Sequence, residues 1–222
     1  MRLYLSSYRI GDRAGALLAL LGSGKYAAIV PNALDNVSPM ARALHREEVY
    51  DPYAELASLG VKGEELDLRA YFGQPGELAR TLQRFDMVWA LGGNAFVLRR
   101  AMKQSGFDAL ILDMLDRDAI VYGGFSAGAV VAGPSLAGYE LMDDPEEVPA
   151  GYERAVVWDG LGLVDFAIVP HFRSRHPQTE AAERLSARLA SRKRPFRALR
   201  DGEAVVWTGP RSASNADLRR IA

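Results

Sequence analysis

Cysteine is absent from all 222 residues. That removes a disulfide framework, a thiolate metal site and a cysteine nucleophile together, so any nucleophile must be an oxygen. Net charge is nearly absent too: 27 Lys and Arg stand against 28 Asp and Glu, leaving no global field to draw nucleic acid or an anionic membrane. Binding to neither is expected. The apolar runs fall well short of a membrane span, and the segment Met1 to Arg9 carries charge too early for a signal peptide. A soluble, cytoplasmic protein is the expectation. Internal repeats and low-complexity tracts are also missing. The length suits a single domain over 1–222 with a full core, and leaves the oligomeric state open, a homodimer included.

What the chain does contain is a series of short apolar runs that stop at turn formers and alternate with helical patterns. Arg2 to Ser6 reads as a first strand, Gly11 to Leu21 as a helix closing at Gly22 or Gly24, and Tyr26 to Val30 as a buried strand ended by Pro31. Ser38 to His45 reads as a helix with proline in its first turn. His45 lies there, read as a solvated helix residue rather than a ligand. Glu65 to Arg69 alternates like a strand, Pro75 to Arg84 has the spacing of an amphipathic helix, and Asp86 to Leu91 is an apolar strand running into Gly92, Gly93 and Asn94. Ala95 to Lys103 and Phe107 to Leu115 are helical in pattern and lead into a strand that ends at Phe125. Ala127 to Ala132 starts a small-residue helix, ended by Gly133 and Pro134. Later come a buried strand, Asp165 to Pro170, and a long helix, Gln178 to Arg194. Two late strands, Pro195 to Leu199 and Ala204 to Trp207, turn through Asp201 and Gly202 as a hairpin. Ser212 to Asp217 reads as surface turn. Strand-to-helix crossings of this kind place strand ends along one edge of an α/β sheet, where ligands bind.

Three strand ends carry polar groups: Gly92 to Asn94, Ser126 and His171. Gly124-Phe125-Ser126-Ala127-Gly128 fits G-x-S-x-G, the pattern of a sharp turn that lifts a serine hydroxyl above a sheet. The N–H of Ala127 heads the following helix, where a developing negative charge is favoured. Serine needs a base to take its proton, and of the three histidines only His171 directly follows a buried strand. His176, five residues on in an exposed-looking turn, reads as a rim residue. A third group must hold the imidazole tautomer. The passage from Gly138 to Glu147 has five carboxylates, most of them belonging to a solvated loop. Glu140 is favoured because it comes soonest after the helix end between Tyr139 and Leu141, with Asp143 close behind and Asp144 next.

Taken together, Leu91-Gly-Gly-Asn-Ala-Phe96, Gly124-Phe-Ser-Ala-Gly-Ala129 and Pro170-His-Phe172 resemble the dipeptidase E and cyanophycinase-like family of serine peptidases. The resemblance implies a class I glutamine amidotransferase-like fold: three layers, with helices on both faces of a mainly parallel sheet. It implies Ser126 as nucleophile, His171 as base, main-chain N–H groups of Gly93 and Ala127 as the oxyanion hole, and Asn94, beside Gly92, lining the substrate site. It also reinforces Glu140 as the acid. One position departs from the family. Dipeptidase E holds the carboxylate of an amino-terminal aspartate with an arginine downstream of its histidine, whereas Glu180 or Ala181 stands near that place here. An acid there repels a substrate carboxylate, leaving Arg173 or Arg175 as substitutes and a broader specificity as the expectation.

The reading is a serine exopeptidase for short peptides, needing no metal or organic cofactor. Two rivals share parts of the pattern: an α/β-hydrolase-like esterase, which G-x-S-x-G alone permits, and a catalytically silent binding member of the fold.

Overall fold

The computed structural model describes residues 1–210, so the turn expected at 212–217 lies outside the described residues. In chain order the elements are β1 (Arg2–Ser6), α1 (Ala14–Leu21), β2 (Tyr26–Val30), α2 (Pro39–Glu48), α3 (Pro52–Ser58), β3 (Lys62–Glu65), α4 (Pro75–Leu82), β4 (Met87–Ala90), α5 (Ala95–Ser105), α6 (Phe107–Asp116), β5 (Val121–Phe125), the one-turn α7 (Ala127–Val130), β6 (Ala167–Val169), α8 (Thr179–Ser191), β7 (Phe196–Ala198) and β8 (Ala204–Thr208). None of the described helices is long and apolar enough to cross a membrane.

The strands β2, β4 and β5 are apolar nearly throughout, as strands covered on both faces must be. They sit in a sheet of order β3-β2-β4-β5-β1-β8, in which every pairing is parallel except β1 with β8. The period of two along each strand sends Leu3, Leu5, Ala28, Val30, Val88 and Ala90 to one face, where they pack with α4 to α8. It sends Tyr4, Ala27, Ile29, Met87 and Trp89 to the other, against α1 and α3. Each large apolar side chain so buried contributes about 1.5–3 kcal/mol. The result is the three-layer α/β architecture with a mainly parallel sheet.

Two expectations about the strands fall differently. The alternation at 65–69 does not continue the sheet, because the Asp67 carboxylate accepts hydrogen bonds from the Arg69 backbone N–H (3.0 Å) and its guanidinium (2.6 Å). This side-chain cap starts a short 3-10 turn at Leu68–Tyr71, and β3 ends at Glu65. Nor do the two late strands form a hairpin. β7 pairs in parallel with β6 in a small separate sheet, while β8 joins β1 antiparallel in the main one. Asp201 and Gly202 therefore carry the chain from one sheet to the other.

Candidate active site

Ser126 follows the last residue of β5 and caps α7 with φ 49° and ψ −117°, a conformation that costs a non-glycine residue about 1–3 kcal/mol. Its surroundings hold it there. The Ser126 N–H points at the carbonyls of Ser6 and Ser7 (3.2 and 3.1 Å), at the end of β1. On the other side α7 is pressed onto β4: a Cβ on Gly128 would stand 2.2 Å from the Ala90 carbonyl oxygen, so only glycine fits.

His171 lies beyond the end of β6 and is buried. Its backbone N–H donates to Ser7 Oγ at 2.7 Å, and its carbonyl accepts from Thr179 Oγ1 at 2.6 Å. The ring Nε2 stands 3.0 Å from Ser126 Oγ, and Nδ1 stands 2.8 Å from Asp201 Oδ1. A carboxylate only accepts, so Nδ1 carries the proton and Nε2 is left to accept from the serine hydroxyl. Asp201 reaches this place through the small sheet. Ladder bonds from Leu199 N–H to the Val169 carbonyl and from Phe172 N–H to the Leu199 carbonyl, both 2.9 Å, bring β7 alongside the segment that carries His171. Ser7 Oγ then donates to Asp201 Oδ1 at 2.8 Å, and the Asp201 N–H donates to Ser174 Oγ at 2.8 Å.

The imidazole is stacked on the ring of His176, with centroids 3.5 Å apart and planes 8° from parallel. His176 is thus packed against the site rather than on its rim, and its Nδ1 accepts the Gln178 N–H at 3.2 Å. Burial, and after it the neighbouring His176, push the His171 pKa below the ordinary histidine value, while Asp201 works the other way.

The acids expected between Ser126 and His171 lie elsewhere. Glu140 is a correction: its carboxylate accepts the Gly138 N–H at 2.6 Å and pairs with Arg188 of α8 at 2.8 Å, which draws it away from the imidazole. Asp143 accepts from the Ala95 N–H at 2.9 Å and from Gln178 Nε2 at 3.2 Å, and Asp144 caps its own turn at Glu146 N–H. The carboxylate at His171 comes instead from 30 residues beyond it.

Gly92, Gly93 and Asn94 leave the end of β4 beside the elbow. Gly93 has φ 138°, and a Cβ there would stand 2.4 Å from the Ala33 carbonyl oxygen. Among the described residues its N–H has no hydrogen-bond acceptor. Asn94 caps α5, its Oδ1 accepting from Phe96 and Val97 N–H, while its Nδ2 donates to the Asp144 carbonyl. Gly92, Gly93, Asn94, Ser126 and His171 all line one cavity of about 700 Å³, whose other walls are the aromatic rings of Tyr8, Tyr50 and Phe125, the Asp143 segment and one side of α2.

A family model, Peptidase family S51, matches residues 13–213. The chain belongs to peptidase family S51. An uncharacterised peptidase of Listeria monocytogenes is 32% identical over 69% of this chain and 71% of its own length. Peptidase E of Salmonella arizonae is 32% identical over 49% of this chain and 43% of its own length. The crystal structure of a peptidase E candidate from Listeria monocytogenes superposes with a TM-score of 0.73 at 28% identity, covering 94% of both chains. This S51 chain is accordingly a serine-type peptidase.

Two polar residues beside His171, Asp201 and Ser7, carry little signal in the sequence. The signal for Asp201 is a carboxylate three residues beyond a short strand, and Asp-Gly at that place reads equally as a hairpin turn. Ser7 had no signal beyond standing at the end of β1.

Proposed function

We propose that this S51 peptidase cleaves short peptides near their amino terminus through an acyl-enzyme, with Ser126 as nucleophile, His171 as general base and Asp201 as the acid that orients the imidazole. What carries the reading is the continuous line from Ser126 Oγ to His171 Nε2 (3.0 Å) and from His171 Nδ1 to Asp201 Oδ1 (2.8 Å), opening on a cavity. His171 takes the hydroxyl proton as Oγ attacks the scissile carbonyl carbon. Asp201 stabilises the imidazolium that forms, and the imidazolium returns the proton to the leaving amine. The N–H groups of Gly93 and Ala127 receive the oxyanion. The carboxyl-terminal fragment leaves as that amine; water then attacks the acyl-enzyme with His171 again as base, the acyl carbon–Oγ bond breaks, the amino-terminal fragment leaves as a carboxylic acid, and the imidazolium returns its proton to Ser126 Oγ. None of these steps calls on a metal or organic cofactor.

The cavity has the size of sites that hold a compact ligand, which suits a peptide of two or three residues. The arginines of its lining, Arg42 and Arg46, stand on α2, and the arginines that follow His171 do not replace the family's carboxylate partner. Glu180 is exposed and pairs with Arg184, and Arg173 pairs with Glu183 at 3.9 Å. Neither Arg173 nor Arg175 lines the cavity; its walls near the nucleophile are Tyr8, Leu91 and Phe125. Neutral and apolar first residues fit such walls.

Hydrolysis of a panel of dipeptide and tripeptide amides, with Asp-first and neutral-first members, tests the reading in the wild type and in Ser126→Ala. The expected result is activity on neutral-first peptides that falls by a factor on the order of 10⁴ or more in the variant, together with fluorophosphonate labelling of the wild type only. Labelling with esterase activity and no peptide cleavage would favour an esterase, and silence in every assay a binding protein.

A further inference from the structure

We infer that the Asp143 carboxylate binds the free α-ammonium group of the peptide, making an unblocked amino terminus a condition of cleavage. The inference rests on the peptidase reading above and adds to it the residue that measures the distance from the amino end.

The first argument is position. Asp143 lines the cavity that holds Ser126, and its Oδ2 accepts from the Ala95 N–H at 2.9 Å. Ala95 is two residues beyond Gly93, whose N–H faces no protein acceptor among the described residues. Two residues of backbone span at most about 7 Å, so the carboxylate stands within roughly 10 Å of the amide proposed to hold the oxyanion. A peptide whose first or second carbonyl lies at Ser126 has its amino nitrogen inside that range.

The second argument is charge. A carboxylate drawn out of water is costly unless paired, yet the half-buried Asp143 forms no ion pair among the described residues and has only two donors, the Ala95 N–H and Gln178 Nε2. Two oxygens offer about four acceptor positions, so capacity remains. Desolvation raises its pKa to about 6 against the two hydrogen bonds, from Ala95 and Gln178, that lower it. A cation entering the cavity supplies the missing partner. Arg42, which also lines the cavity, is already engaged, pairing with Asp35 at 3.1 Å.

The third argument is that Asp143 carries only a small part of the local structure, the Ala95 N–H of α5. The amino end of α5 is capped by Asn94 Oδ1 at Phe96 and Val97 N–H. The segment after Asp143 is tied down by Asn94 Nδ2 at the Asp144 carbonyl and by Arg100 at the carbonyls of Pro145, Glu147 and Arg154. Asp143 is therefore a fixed carboxylate on the cavity lining with acceptor capacity to spare.

The experiment compares Leu-Ala amide with its N-acetyl counterpart in the wild type and in Asp143→Asn. The wild type should prefer the free amine by about 30-fold or more in kcat/KM, in line with a charge-assisted hydrogen bond. Asp143→Asn should lose most of that preference, chiefly through KM of the free-amine peptide, and change the N-acetyl peptide less than about threefold. A purely structural carboxylate would lower both substrates together. Wild-type enzyme that cleaves the two peptides equally well, or a variant that loses both equally, overturns the inference and leaves the serine peptidase reading standing. Calorimetric binding of the same peptides to Ser126→Ala and to Ser126→Ala/Asp143→Asn decides the matter without turnover. Binding of the free-amine peptide that depends on Asp143 supports the inference even where hydrolysis fails, and equal binding of both peptides rejects it.

Discussion

The cavity has two walls built on opposite terms. On the sheet edge, Ser7 and His171 are buried, and the groups around them hold one another: backbone N–H to hydroxyl, hydroxyl to carboxylate, carboxylate to imidazole, imidazole to serine. Across from it α2 buries none of its residues, and Met40 is 82% exposed on its outer side. That helix is held by its Ser38 cap, the Arg42 pair with Asp35 and the Arg46 guanidinium over Tyr53. Proton transfer needs atoms fixed to within a fraction of an ångström, whereas a binding wall needs only to present a surface. Changes on the first wall should therefore appear in kcat and changes on the second in KM.

The sharpest way to break the contrast is at Asp201. Asp201→Asn keeps the shape but lets the amide donate to Nδ1, favouring the wrong tautomer, and kcat should fall by about 10²–10⁴. Glu140→Gln should leave kcat within about twofold, because its partners are Gly138 and Arg188. Steady-state kinetics of the pair decides between the two acids; a large loss in the Glu140 variant with none at Asp201 would reverse the assignment.

Ser7→Ala comes next. It strands the buried His171 N–H and removes one donor from Asp201, which costs about 1–3 kcal/mol. In a chain of this size the thermal midpoint should drop by roughly 2–4 °C per kcal/mol, and kcat by about tenfold. A stable variant with unchanged kcat would mean that Asp201 is held well enough by Ser174. Arg42→Ala tests the other wall: KM should rise a few-fold, as befits a part-exposed ion pair, with kcat unchanged.

The readability of the sequence follows the same division. The ends of β4 and β5 announced themselves because backbone passes backbone there, and Gly93 and Gly128 are what close approach requires. The strands were legible wherever burial on both faces made them apolar throughout. Partners were not legible. Nothing local to Phe196–Ala198 tells that it pairs with β6 rather than with β8, and that pairing is what delivers Asp201 to the imidazole. Glu140 lost its expected place to Arg188, 48 residues away, an ion pair that chain order hides. Asp67 ended β3 by turning a side chain onto its own backbone, a competition that alternation alone does not weigh.

The smallest effect sharpens the comparison within the first wall. His171 must be neutral to act as base, so its lowered pKa should carry the acid limb of kcat/KM below the ordinary histidine value of about 6.5. His176 contributes to that lowering, because placing two imidazolium charges in stacked rings is unfavourable. His176→Asn removes the second charge while its Oδ1 can still accept the Gln178 N–H that Nδ1 accepts now. The His171 pKa should rise and the acid limb move upward by less than about one unit. Because burial also lowers the His176 pKa, that ring is neutral at pH 7.5 and the variant should match the wild type there. A limb that stays in place would show that burial and Asp201 set the base alone, and that the stacked ring serves only to pack it.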